Sequence, residues 1–127
     1  MSMIISKKIL VVDDEPLLCE IWLDLFTASG AEVTLADGGH KAQELLKNEK
    51  YDILFSDVRM PLGDGIQLVK SLTPEQKNNM LIYFCSGFND LSDNDLVQLG
   101  VRKQFQKPFD FNKVLEYISS DLTEKKS

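Results

Sequence analysis

Two kinds of hydrophobic pattern alternate along the chain. The first is a short apolar run that stops abruptly at polar residues. Ile9-Leu10-Val11-Val12 halts at Asp13-Asp14, and Ile53-Leu54-Phe55 halts at Ser56-Asp57. Leu81 to Phe84 gives way to Ser86-Gly87, and a shorter segment around Phe105 ends at Lys107-Pro108. Glu32 to Ala36 adds another strand through Val33 and Leu35. Strands that are apolar without alternation belong to a sheet covered on both faces.

The second pattern is amphipathic. Pro16 suits a first helical turn and Gly30 a helix end, with Leu17, Leu18, Ile21, Trp22, Leu25 and Phe26 read as the inward face. His40 to Asn48 predicts a second helix with Ala42, Leu45 and Leu46 inward. A third follows Gly65 with Ile66, Val69 and Leu72, and a fourth covers Leu91 to Leu99 before Gly100. The fifth starts at Asp110, a good N-cap, and uses Phe111, Val114, Leu115 and Ile118. Five strands alternating with five helices predict a doubly wound α/β domain with a parallel sheet. The expected core spans about residues 7–122. Short tails are expected at 1–6 and 123–127, with the polar stretch from Asp121 onward frayed.

Composition narrows the function. At 127 residues the chain is one domain in size, and 14 basic against 20 acidic residues give a net charge of −6. Basic residues never run longer than a pair, which argues against a nucleic-acid module. Cys19 and Cys85 fit neither a disulfide framework nor a zinc site, and are expected to be inert packing residues in a reducing compartment. No apolar run reaches the roughly 18 residues of a membrane span, and the N-terminus does not read as a signal peptide. These features together predict a cytoplasmic protein.

In doubly wound sheets ligands bind outside the carboxyl ends of the strands. Those ends carry Asp13-Asp14, Asp57, Ser86-Gly87 and Lys107-Pro108. Three carboxylates brought together raise one another's pKa, and a hard cation relieves that repulsion. Mg²⁺ takes oxygen ligands, and Mg²⁺ beside a lysine and a serine suggests phosphate chemistry. Alone, Ser86-Gly87 would be an ordinary turn, and Asp13-Asp14-Glu15 an acidic first turn favoured by the helix dipole. His40 is read as a solvated surface residue and Trp22 as core.

With these motifs in order, the chain resembles the receiver domain of bacterial two-component response regulators, of the chemotaxis-regulator-like single-domain type. The resemblance rests on Ile9-Leu10-Val11-Val12-Asp13-Asp14-Glu15-Pro16, Asp57-Val58-Arg59-Met60-Pro61, Gly63-Asp64-Gly65, Ser86-Gly87 and Lys107-Pro108-Phe109. It implies a flavodoxin-like (βα)₅ fold with a five-stranded parallel sheet of order 2-1-3-4-5 and helices on both faces. It implies that Asp57 is the phosphoacceptor, assisted by Lys107 and Ser86, with the backbone of Val58 and Gly87 binding phosphate. It implies Mg²⁺ held by Asp14, Asp13, Asp57 and the Arg59 carbonyl. A cis Lys107-Pro108 bond would aim the ammonium into the site.

The resemblance also implies partners. These are a sensor histidine kinase or histidine phosphotransfer protein, a downstream effector, and a possible homodimer through the face of the fourth helix, fifth strand and fifth helix. Neither nucleic acid nor membrane is among them. Leu23 on the first helix is a candidate docking residue. The chain departs from the family at Gln104, where an aromatic switch residue usually stands, so Ser86 acts with either Gln104 or Phe105. Phe105 is expected to point into the core. Bulky Phe88, together with Arg59, implies slow self-dephosphorylation. Two alternatives stay open: a pseudo-receiver scaffold that works without phosphorylation, and a Mg²⁺-dependent aspartyl-nucleophile phosphohydrolase. Arg59 stands where the hydrolase would need its second acid.

Overall fold

The computed structural model describes residues 4–61, 63–87, 91–107 and 110–126, the side chains of 125 and 126 aside. Phe88, Pro108 and Phe109 lie outside the described residues, and with them the readings placed on Phe88 and on the Lys107-Pro108 bond. The strands are β1 (Lys8–Val12), β2 (Glu32–Ala36), β3 (Ile53–Asp57), β4 (Leu81–Ser86) and β5 (Lys103–Gln106). All pairings are parallel and the order is β2-β1-β3-β4-β5, as expected.

Each strand divides its side chains between two cores. Leu10, Val12, Leu54, Ile82 and Phe84 face α2 (Gly39–Asn48), α3 (Gly65–Lys70) and α5 (Asp93–Leu99). Ile9, Val11, Ile53, Phe55, Tyr83, Cys85 and Phe105 face α1 (Pro16–Ala28) and α6 (Phe111–Lys126). Both sets are apolar, so the strands read as continuous runs. Trp22 joins α1 to β3 and α6, with ring centroids 4.7 Å from Phe55 and 5.9 Å from Phe111. Among the described residues no helix is long and apolar enough to cross a membrane.

Four expectations need correction. A short helix, α4 (Pro74–Asn78), precedes β4. Its signal is a capping box: Gln76 N–H donates to the Thr73 hydroxyl at 3.1 Å, and Thr73 N–H donates back to Gln76 Oε1 at 2.8 Å. The stretch from Asp121 is not a frayed tail, because α6 runs on to Lys126 and Leu122 is buried. Asp121 is buried too, accepting from the Tyr83 hydroxyl at 2.6 Å and from Arg102 at 2.9 Å. At the other end Ile4 is fully buried, so the core reaches back past residue 7.

The fourth correction concerns α1. Its buried stripe is Cys19, Trp22 and Phe26, with Leu18 and Leu25 on its edge. Leu17 and Ile21 point the other way and are 69% and 43% exposed. The helix is apolar around most of its circumference, and a sheet covers only one side of it.

Candidate functional site

The site is built where β1, β3, β4 and β5 end together. Asp13 follows β1, and its backbone N–H donates to Ala36 O at 3.0 Å, continuing the ladder to β2. The adjoining Cys19 thiol donates to the Asp13 carbonyl at 3.2 Å, tying α1 to the same loop. Asp57 is the last residue of β3 and is aligned with Cys85 of β4. Lys107 follows β5, held by its N–H to Ser86 O at 2.7 Å.

These positions bring the expected acids together. One carboxylate oxygen from each of Asp13, Asp14 and Asp57 lies within 4.8 Å of the others. Asp13 and Asp57 are buried, and Asp14 stands at the more open side. Lys107 Nζ reaches Asp57 Oδ2 at 3.4 Å. Burial pushes the Asp13 carboxyl up to about 6, and Asp57 and Glu15 push the same way. The Glu15 N–H and Lys107 oppose that rise. Burial works against the Lys107 ammonium, but the charges of Asp57 and Asp13 outweigh it and its pKa is raised. Burial also raises the Cys19 and Cys85 thiols, with nearby aspartates adding to it, so both stay protonated and unreactive.

The acid set fits a hard divalent cation. Asp13 Oδ1 accepts from Glu15 N–H at 3.0 Å, but its Oδ2 is buried with no hydrogen-bond partner among the described residues. A buried carboxylate oxygen left unpaired is costly, and Mg²⁺ with its oxygen-only preference would satisfy it.

The remaining expected residues fall as follows. Ser86 ends β4 and is buried at the rim. Gly87 is exposed, and a Cβ there would meet nothing within 4 Å, so the structure leaves open space on that side. The Val58 N–H donates to Cys85 O at 3.2 Å, as a continuation of the sheet. The amide beside the carboxylate is that of Arg59, 3.4 Å from Asp57 Oδ1. Phe105 is buried against Phe55 and Tyr83, while Gln104 is half-buried and aligned with Phe84. Leu23 is half-buried on the flank of α1, and the exposed apolar residues of that helix are Leu17 and Ile21.

Fold and site therefore define a doubly wound domain with three aspartates and a lysine gathered at the strand ends. Comparison with known proteins gives its family. The model of the response regulator receiver domain matches residues 9–119, and the chain belongs to that family. The chemotaxis protein CheY of Bacillus subtilis is 31% identical over 119 residues, covering 92% of this chain and 98% of that protein. Sporulation initiation phosphotransferase F of the same organism is 26% identical over 121 residues, covering 92% and 94%. Response regulator TrrA of Thermotoga maritima, solved in complex with Mg²⁺-BeF, superposes with a TM-score of 0.79 at 26% identity. That match covers 91% of this chain and 98% of that one.

Proposed function

We propose that this receiver domain accepts a phosphoryl group on the Asp57 carboxylate from a phosphohistidine of a sensor kinase or histidine phosphotransfer protein. The observation that carries the reading is a buried carboxylate paired with Lys107 at 3.4 Å beside two further aspartates. In the transfer, an Asp57 oxygen forms the new bond to phosphorus, and the P–N bond breaks with its electron pair leaving on the imidazole. Lys107 faces the added negative charge as a compact cation. Ser86 stands ready to donate its hydroxyl, and the Arg59 N–H already points at the carboxylate.

Asp13, Asp14, Asp57 and the Arg59 carbonyl would hold Mg²⁺, which supplies charge neutralisation for the phosphoryl oxygens. The domain works in the cytoplasm and is not an enzyme acting on outside substrates, though it assists its own slow dephosphorylation. Its kinase-side surface is centred on Leu17 and Ile21 rather than Leu23, because these two are the exposed apolar residues of α1. The effector and homodimer face is that of α5, β5 and α6, where Val97 and Tyr117 are exposed.

The test is incubation with acetyl phosphate and Mg²⁺ followed by intact-mass measurement. The expected result is a stable gain of one HPO₃ that is absent in Asp57→Asn. No gain in the wild type refutes the reading and favours a scaffold. Rapid turnover of many phosphate esters favours a hydrolase.

A further inference from the structure

The peptide that carries the Asp57 carbonyl is clamped from three sides, and Ser56 and Gly65 have no assigned part in the chemistry. Ser56 is fully buried, and its hydroxyl donates to the Asp57 carbonyl oxygen at 2.8 Å. The N–H of the same peptide, that of Val58, donates to Cys85 O at 3.2 Å, and the following peptide is held where Gly65 N–H donates to Val58 O at 2.9 Å. Gly65 opens α3 and presses its backbone onto the Asp57 carbonyl. A Cβ there would fall 2.5 Å from Asp57 O and 3.2 Å from Ser56 Oγ. Strand parity puts Ser56 on the α3 side of the sheet and Asp57 on the α1 side. The hydroxyl therefore grips the acid's own backbone from behind, without touching the carboxylate.

We propose that Ser56 is a positioning residue for phosphoryl transfer. It acts through the orientation of the Asp57 peptide, and Gly65 provides the close seat that keeps the hydroxyl in place. The consequence reaches two groups at once. The Asp57 carboxylate hangs beside this peptide, and the Arg59 N–H and carbonyl lie one and two peptides further along the same segment. Rotation of the peptide by a few degrees would shift both relative to Lys107, which is anchored independently through Ser86. Sub-ångström placement of reacting groups changes rates strongly, whereas one neutral hydrogen bond has a modest net effect on stability.

The inference rests on Asp57 being the phosphoacceptor, and the experiment separates the two. Wild type, Ser56→Ala and Ser56→Thr are phosphorylated with acetyl phosphate at saturating Mg²⁺, under conditions where urea curves show each to be folded. The Asp57 carbonyl ¹³C shift is read in parallel. Ser56→Ala is expected to lose roughly three- to tenfold in rate, to move the carbonyl signal, and to be restored by Ser56→Thr. If the added methyl of Thr unfolds the protein, Ser56→Cys, which keeps a weaker donor, takes its place and should fall between wild type and Ala. Equal rates for wild type and Ser56→Ala overturn the positioning role. So does a slowed Ser56→Ala whose carbonyl signal does not move. Absence of phosphorylation in the wild type overturns instead the reading of Asp57.

Discussion

Replacing Asp13 by Asn should make the metal-free protein more stable. Asp13 is 1% exposed, and burial raises its carboxyl from 3.8 to about 6. Its charged form is thus disfavoured in the folded state by ~3 kcal/mol at neutral pH. Asn removes the charge but keeps an oxygen to accept the Glu15 N–H, now at 3.0 Å. Because the loss of attraction to Lys107 works the other way, the expected gain is about 1–3 kcal/mol. The pH dependence has a definite sign. Between pH 3.8 and 6 the folded protein holds a proton that the unfolded chain has released, so wild-type stability falls as pH rises through that window and is then flat. The gap between the variants is full above pH 6, about half as large at pH 5, and closed below the unfolded value. The assay is urea unfolding in EDTA at pH 7.5 and pH 5, repeated with Mg²⁺. Mg²⁺ should stabilise the wild type more than Asp13→Asn and narrow the gap. An Asn variant no more stable than wild type in EDTA would refute the reasoning.

Three further outcomes are expected. Leu17→Asp or Ile21→Asp should slow phosphotransfer from a histidine-phosphorylated donor by about tenfold or more, while leaving acetyl phosphate labelling unchanged; equal loss of both would remove α1 as the docking surface. Tyr83→Phe should cost about 1–3 kcal/mol in urea unfolding, because it leaves a buried oxygen of Asp121 without its phenol donor. Thr73→Ala should cost about 1 kcal/mol through the lost cap of α4 and leave the labelling rate untouched, since α4 lies outside the site.

The strand ends were the readable part of this chain. Parallel strands buried on both faces leave an unmistakable apolar signature, and what interrupts it, Asp13, Asp57, Ser86 and Lys107, is the site itself. The helices were less legible. α1 is apolar nearly all round, so a wheel could not tell which side the sheet would cover, and it placed Leu17 and Ile21 inward. α4 has only five residues and buries none of them, so it carries no periodic signal and only its capping box marks it. Asp121 read as tail because a carboxylate looks solvated until its partners are known. Those partners, Tyr83 and Arg102, are 38 and 19 residues away in sequence.

The packing also distinguishes the two switch candidates. Phe105 is held by rings on every side: Phe55 at 6.1 Å, Tyr83 at 6.0 Å and Tyr117 at 5.8 Å, with the Lys103 ammonium 5.8 Å from its centroid. Moving it would open a cavity in the core shared by α1 and α6, at roughly 3–5 kcal/mol if the ring were lost entirely. Gln104 lies on the opposite face, aligned with Phe84 and two positions before the pair of Ser86 with Gln106, with its Oε1 buried on the α5 side. Ser86 and Gln104 lie on the same face of the sheet, so a Ser86 hydroxyl drawn to a phosphoryl oxygen would change the surroundings of that amide rather than of the Phe105 ring. Gln104 is therefore the residue expected to respond, through hydrogen bonding instead of ring burial. The measurement is NMR with Mg²⁺ and BeF₃⁻ as the phosphoryl mimic. The Gln104 side-chain NH₂ signals should shift, and the Phe105 ring signals should stay near their starting positions. A larger displacement of Phe105 than of Gln104 would assign the switch to the aromatic core instead.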